Sequence, residues 1–321
     1  MHHLTRTALG ELSMWANLVR VRYHGDEVHL RGIIEFSNHC VRNCTYCGLR
    51  RDNPSIRRYR LSPEAIVAAA MRVAAAGVAT VVLQSGDDFA YTAEDVAGII
   101  REIKARADVA VTLSVGERPL SHYEMWRDAG ADRYLLKHET ANADLYARLH
   151  PGQHLEDRLA ILQFLKAIGY ETGCGMIVGV PGQTLEDLAD DVLLTRRLGV
   201  EMCGIGPFMP QSGTPHGTCP KGDLETTLRM IALVRLLCPQ IHLPATTALA
   251  TLAPGDGQFL GLMAGADVLM PNFTPAEWCG DYAIYDHKAQ VDLVQALSVI
   301  TRASRRVAGR EKESEQHAKY A

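Results

Sequence analysis

Gly32-Ile-Ile-Glu-Phe-Ser-Asn-His-Cys-Val-Arg-Asn-Cys-Thr-Tyr-Cys47 runs from a short, β-prone apolar stretch directly into a loop that gathers Cys40, Cys44 and Cys47. A strand followed by a chemically loaded loop is one unit of an alternating β/α chain, and the unit recurs. β-rich runs fall at 33–37, 80–85, 110–114, 133–139, 171–178, 202–208, 241–247 and 267–271. Between them, helix starts are signalled by Ser62-Pro63 with Glu64, Thr92 with Glu94, Pro119 with Ser121, Thr184 with Glu186, and Asp223 with Glu225. Gly77, Gly130, Gly169, Gly199 and Gly265 stand where those helices should end. Eight such units, each needing a right-handed crossover, predict an α/β fold: a complete (β/α)8 TIM-type barrel, which leaves no sheet edge to protect. Chemistry in such a barrel sits on the loops after the strands, where the cysteines fall.

Working outward, residues 3–21 carry a helical pattern through Leu4, Leu9, Leu12, Trp15 and Leu18. The expected organisation is an N-terminal helical extension over 1–30, the barrel over 31–304, and a disordered charged tail over 305–321. With 321 residues and 47% hydrophobic content the chain can bury a large core. A net charge of -4 provides no basic footprint for nucleic acid or an anionic membrane. The N-terminus lacks an apolar h-region and no long apolar run occurs, so the reading is a cytoplasmic protein with reduced thiols.

Three soft ligands within eight residues can hold three irons of a cubane cluster and leave the fourth iron open. A structural zinc site would want a fourth closed ligand at similar spacing, and no second Cys pair follows. Polar groups converge at other strand ends. Period-two alternation puts Arg133, Leu135, Lys137 and Glu139 on one face, either as a ligand site in the lumen or as a structural ion network. Ser85, Thr112, Ser114, Thr246 and Thr247 close neighbouring strands with groups that can bond a small anionic or zwitterionic ligand. Arg158 begins a helix and reads equally as a carboxylate partner or a solvated charge. Cys174 and Cys203, on adjacent strands, fit an auxiliary cluster or simple core packing. The glycines of Gly175-Met-Ile-Val-Gly-Val-Pro-Gly182 permit close backbone approach to a ligand but do not form a dinucleotide fingerprint.

Cys-x3-Cys-x2-Cys with Tyr46 before the last cysteine resembles the radical S-adenosylmethionine (SAM) enzymes. The longer stretches IIEFSNHCVRNCTYCGLRRDN53, LQSGDD88, VTLSVGE117, AGADRYLLKHETAN142, VGVPGQT184, GIGPF208, LPATTA248 and MPNFTP275 resemble the HydE family of [FeFe]-hydrogenase maturases, from about residue 30 to 275. That resemblance implies a [4Fe-4S] cluster on Cys40, Cys44 and Cys47, and SAM as cofactor, cleaved reductively to a 5'-deoxyadenosyl radical. It implies Ser114, Glu139 and Arg158 as SAM contacts, Tyr46 beside the adenine and Gly86 near the methionine amino group. It places Ser85, Thr112, Arg133, Lys137, Met202, Thr246 and Thr247 around a substrate cavity. The implied substrate is a small-molecule or organometallic iron-cysteine precursor, attacked at sulfur during H-cluster assembly. Other hydrogenase maturases and an electron donor are the implied partners.

Two departures stand out. Lys137 occupies a position where the family motif has Arg, exchanging a planar fork for a point charge. The further C-terminal cysteines of many members are missing from Lys288–Val299, so no accessory C-terminal cluster is expected. The alternatives are a lysine mutase similar to methylornithine synthase of pyrrolysine biosynthesis, and a non-catalytic carrier of iron or zinc.

Overall fold

Local chemistry sets the elements of the chain, of which the computed structural model describes residues 8–309. It opens with α1 (Leu9–His24) and β1 (Glu27–Leu30), then alternates: β2 (Gly32–Ser37), α2 (Pro63–Ala75), β3 (Thr80–Ser85), α3 (Ala93–Arg106), β4 (Ala110–Ser114), α4 (Leu120–Asp128) and β5 (Arg133–Leu135). The alternation continues with α5 (Ala143–Leu149), α6 (Leu155–Ala167), β6 (Glu171–Val178), α7 (Leu185–Leu198), β7 (Met202–Pro207) and α8 (Leu224–Leu237). The chain closes through α9 (Thr247–Leu252), α10 (Gly257–Met263), β8 (Val268–Leu269), α11 (Leu293–Arg302) and β9 (Arg306–Val307). Side chains cap four of the five helix starts expected from sequence, at Ser62, Thr92, Thr184 and Asp223, whereas α4 after Pro119 has no side-chain cap and the acidic partners of Thr92 and Thr184 lie one residue beyond Glu94 and Glu186. Ser62 accepts from the Ala65 N–H with Pro63 in the first turn. Thr92 and Thr184 form reciprocal capping boxes with Asp95 and Asp187.

β2 to β7 pair in chain order, all parallel, as one six-stranded sheet flanked by helices. The fold is therefore α/β with an N-terminal helix. The eight regular strands expected from sequence are corrected at two positions. The stretch 241–247 is held only by the single bridges Met202↔His242 and Pro244↔Val268, and 267–271 keeps strand pairing only at Val268–Leu269. Pro244 and Pro271 have no N–H to donate to a ladder, and Thr246 turns the chain by capping α9. The fourth strand also stops early: regular pairing ends at Leu135, and Glu139 adopts a left-handed φ of 65°.

A second, three-stranded parallel sheet has the order β8-β1-β9. Neither β1 nor β9 is anticipated by the sequence reading. Arg306 and Val307 pair with Glu27 and Val28, so the expected tail begins as a strand, and its residues 310–321 lie outside the described residues. This end of the molecule is tied by a buried hub. Asp267 takes hydrogen bonds from Arg235 Nη2 (2.8 Å), His242 Nδ1 (2.6 Å) and the Leu243 N–H (2.7 Å). Although burial opposes the charge, these donors and the Arg235 cation hold the Asp267 carboxyl at about 2.

Candidate active site

β2 delivers the cysteine loop, and neighbouring strand ends pin it. The Val41 N–H donates to Asp87 O (3.1 Å), Thr45 N–H to Leu149 O and Gly48 N–H to Ile284 O (both 2.9 Å). Arg58 donates to the carbonyls of Asn38, Leu49, Arg50 and Asn53, so one guanidinium laces the loop to its flanks. Gly86 leaves room for it: a Cβ there would lie 2.3 Å from His39 O and 2.7 Å from Cys40 Cβ. Glycine is required at this position by contact, independently of its backbone angles.

The three thiols are close enough to repel one another as thiolates. Burial, followed by the Asp87 charge, raises Cys40 to about 11. Burial and then Cys40 raise Cys47 to about 12, and burial with both other cysteines raises Cys44 well above its ordinary value. Such a trio stays protonated unless a cation compensates it, which is the electrostatic requirement of a metal-cluster ligand set. Cys40 Sγ additionally accepts the N–H groups of Arg42 and Asp87, each at 3.4 Å.

Charged residues support the loop from beneath. Arg42 donates to Asp87 Oδ2 (2.7 Å) and Glu117 Oε2 (3.1 Å). Glu117 also accepts from Gln153 Nε2 and from Arg158 Nε, each at 2.7 Å. Arg158 is thus no solvated helix charge: it is buried, bonded to Glu117, and donates from Nη1 to Lys137 O at 2.9 Å. His150, also buried, faces Cys44 Sγ through Nδ1 at 3.3 Å and the Tyr46 hydroxyl through Nε2 at 3.4 Å. Burial, then Arg158 and Arg42, lowers the pKa of this imidazole well below its ordinary value.

Below the loop lies a cavity of ≈ 320 Å³ that Cys47 and Tyr46 border. Lys137 and Glu139 line it as an ion pair of 2.9 Å, with Thr246 and Thr247 on another wall. Lys137 extends where two neighbouring strands carry glycines; a Cβ on Gly175 would come within 2.8 Å of its Cε. A second pair, Lys288 with Glu35, also borders the cavity, and Asn272 Nδ2 donates to the other Glu35 oxygen at 3.0 Å.

The structure therefore brings together Cys47, Tyr46, Lys137, Glu139, Thr246 and Thr247. The remaining candidates lie outside this cavity's wall. Gly86 backs the cysteine loop, Ser114 ends β4, and Ser85 Oγ bonds Gly86 O. Thr112 is buried with no hydrogen-bond partner for its hydroxyl. Arg133 sits at the opposite end of its strand, paired with Glu171 and donating to Thr80 Oγ1 (3.3 Å); all three are first residues of their strands. Met202, likewise a first residue, meets Arg31 Nη1 through Sδ at 2.6 Å. Cys174 and Cys203 are fully buried, each near Thr195 Oγ1 on α7. Sequence reading assigned no site role to Glu117, His150, Glu35 or Lys288. Glu117 and His150 carry weak local cues, ending Ser114-Val-Gly-Glu117 and preceding Pro151, whereas Glu35 and Lys288 are 253 positions apart.

The chain has relatives of known family. The Radical SAM superfamily matches residues 34–194. The [FeFe] hydrogenase maturase subunit HydE of Thermotoga maritima is 51% identical over 273 residues, covering 85% of this chain and 78% of that protein. A 3-methylornithine synthase of Methanosarcina acetivorans is 29% identical over 279 residues, with the same two coverages, 85% and 78%. Among solved structures, methylornithine synthase (PylB) superposes with a TM-score of 0.85 at 26% identity, over 97% of this chain and 91% of that one. The maturase HydG from Carboxydothermus hydrogenoformans shares the fold, with a TM-score of 0.76 at 20% identity over 92% and 71% of the two chains. With a superfamily match that begins in β2, the strand leading into the cysteine loop, and half its residues identical over most of its length, the chain is a radical SAM enzyme and belongs to the HydE family.

Proposed function

We propose that this enzyme acts in [FeFe]-hydrogenase maturation as HydE does, working on a small-molecule or organometallic iron-cysteine precursor in the cavity beneath Cys47. The observation that carries the reading is the Lys137–Glu139 pair facing the same ≈ 320 Å³ space as Cys47 and Tyr46, which sets a charged binding wall against the cysteine loop. When bound, a [4Fe-4S] cluster and SAM supply reductive cleavage of SAM to methionine and a 5'-deoxyadenosyl radical.

In this reading Cys40, Cys44 and Cys47 hold the cluster, and the mutual proximity and burial of their thiols support it. Tyr46, Gly86, Ser114, Glu139 and Arg158 position SAM. Arg158 does so while braced by Glu117, which leaves its second guanidinium edge beside Lys137 O. Lys137, Thr246 and Thr247 hold the substrate directly. Ser85, Thr112, Arg133 and Met202 belong to the surrounding lumen, with Arg133 acting from the far strand ends. We read the chain over 31–304 as a closed barrel, a reading supported by the isolated bridges at His242, Pro244 and Asn272 between the ends of the six-stranded sheet. One cluster, without a C-terminal accessory, an external electron donor, partner maturases and a cytoplasmic setting complete the proposal. Among the described residues no helix is long and apolar enough to cross a membrane.

Electron paramagnetic resonance of the reconstituted, reduced protein tests it: one cluster signal altered by SAM is expected, with 5'-deoxyadenosine formed when an iron-cysteine precursor is added. No SAM-dependent change in the signal would overturn the reading. A lysine mutase is the second reading, favoured by the 0.85 superposition on PylB. Methylornithine formed from lysine would select it.

A further inference from the structure

His150 stands outside every role assigned so far, yet it touches the cysteine loop twice. It follows α5, and its side chain is 1% exposed. Tyr146, one turn earlier, stacks on its ring at 4.4 Å with planes 17° apart, and Tyr46 meets the ring edge-on at 5.5 Å. The imidazole is therefore stacked by Tyr146 and met edge-on by Tyr46, with each nitrogen aimed at one partner. Nε2 faces the Tyr46 hydroxyl at 3.4 Å and Nδ1 faces Cys44 Sγ at 3.3 Å.

Those two partners decide the tautomer. A neutral imidazole carries one N–H, and a thiolate offers only lone pairs. The Tyr46 hydroxyl can donate to an unprotonated Nε2, which leaves the proton on Nδ1, directed at sulfur. We propose that His150 is a positioning residue for the cluster: its Nδ1–H donates to the Cys44 thiolate, with Tyr46 fixing the tautomer and Tyr146 the ring plane. This inference rests on the cluster assignment above. A hydrogen bond to a ligating sulfur draws electron density from it and favours the reduced cluster, so the bond raises the reduction potential. Because Tyr46 belongs to the same loop and also borders the cavity, the contact couples the cluster's electronic state to what occupies that cavity.

The test is a redox titration of the reconstituted cluster, followed by paramagnetic resonance without SAM, in wild type, His150→Phe and His150→Gln. Phe is expected to lower the midpoint potential and Gln, whose amide can donate, to recover part of the loss; a Phe variant with full iron content and an unshifted midpoint overturns the inference. Should the variants fail to load iron, wild-type protein labelled with ¹⁵N-histidine decides: electron-nuclear double resonance is expected to detect one histidine nitrogen and one exchangeable proton coupled to the reduced cluster, and their absence overturns the inference. Wild-type protein that binds no iron and sulfide would instead remove the cluster assignment, and this inference with it.

Discussion

Arg158 Nε donates to Glu117 Oε1 at 2.7 Å, joining the start of α6 to the loop after β4 inside the protein. The same carboxylate accepts from Arg42, so two guanidinium groups share one acid across the floor of the cysteine loop. Neither arginine is free to wander, and both hold the loop's underside in one arrangement.

Removing one partner of such a buried pair strands the other. Arg158→Met is expected to lower unfolding stability by about 3 kcal/mol, since Glu117 keeps only Arg42 and Gln153 as compensation. Arg158→Lys should fall between, because an ammonium cannot reach Glu117 and Lys137 O with a rigid fork. Urea denaturation of the apo-proteins measures both.

Gly86→Ala is expected to deplete the metal site without unfolding the chain. The new Cβ would meet His39 O and Cys40 Cβ at 2.3 and 2.7 Å, so the loop must shift. Iron and sulfide content after reconstitution should drop to less than roughly half of wild type, because misplaced ligands lose metal affinity steeply. Full loading would contradict the tight packing.

Cys174→Ala and Cys203→Ala should keep wild-type iron content. Both thiols are fully buried beside Thr195, and the packing loss from either change is about 1 kcal/mol. A fall in bound iron would revive an auxiliary cluster at these strands.

Lys137→Met leaves Glu139 without its 2.9 Å ion-pair partner at the cavity wall. Substrate-dependent 5'-deoxyadenosine formation is expected to fall at least about tenfold, because an ionic partner removed from a desolvated pocket strands the charge it faced. Lys137→Arg should retain most of it, since the positive charge is kept. Comparing the two at saturating SAM separates the charge from the shape.

His29, on β1, has its pKa lowered to about 4 by burial and then by the neighbouring His242. Unfolded, it titrates near 6.5. Between those values the unfolded chain binds the extra proton, so stability is complete above about pH 6.5 and declines as pH falls toward 4. His29→Asn should flatten that part of the stability-against-pH curve, measured by denaturant midpoints.

Local patterns carried most of the frame. Caps at Ser62, Thr92 and Thr184 and the cysteine loop after β2 are readable because each depends on a few adjacent residues. The stretch 241–247 misled because β-prone composition outweighed Pro244 and the capping tendency of Thr246, which here terminate pairing. Arg133 alternates correctly with Lys137, but alternation fixes a face and not a height along the strand; it lies with Thr80 and Glu171 at the far end. Glu35 with Lys288, and Glu117 with Arg158, are meetings of distant segments that only the folded chain creates.

The β8-β1-β9 sheet also sets a timetable on the ribosome. His29 and Leu30 pair with Val268 and Leu269, and Glu27 and Val28 with Arg306 and Val307, so β1 leaves the exit tunnel long before either partner exists. At translation rates of about 5–20 residues per second, that wait is roughly 12–50 s. Through that interval β1 has none of the strand partners it ends with, while the strands that present the cysteines are already made. The cysteine loop waits as well: Gly48 donates to Ile284 O and Asn38 to Asp281 O, so its last anchors are made only after β8 and the site and the seam are completed together, late in synthesis.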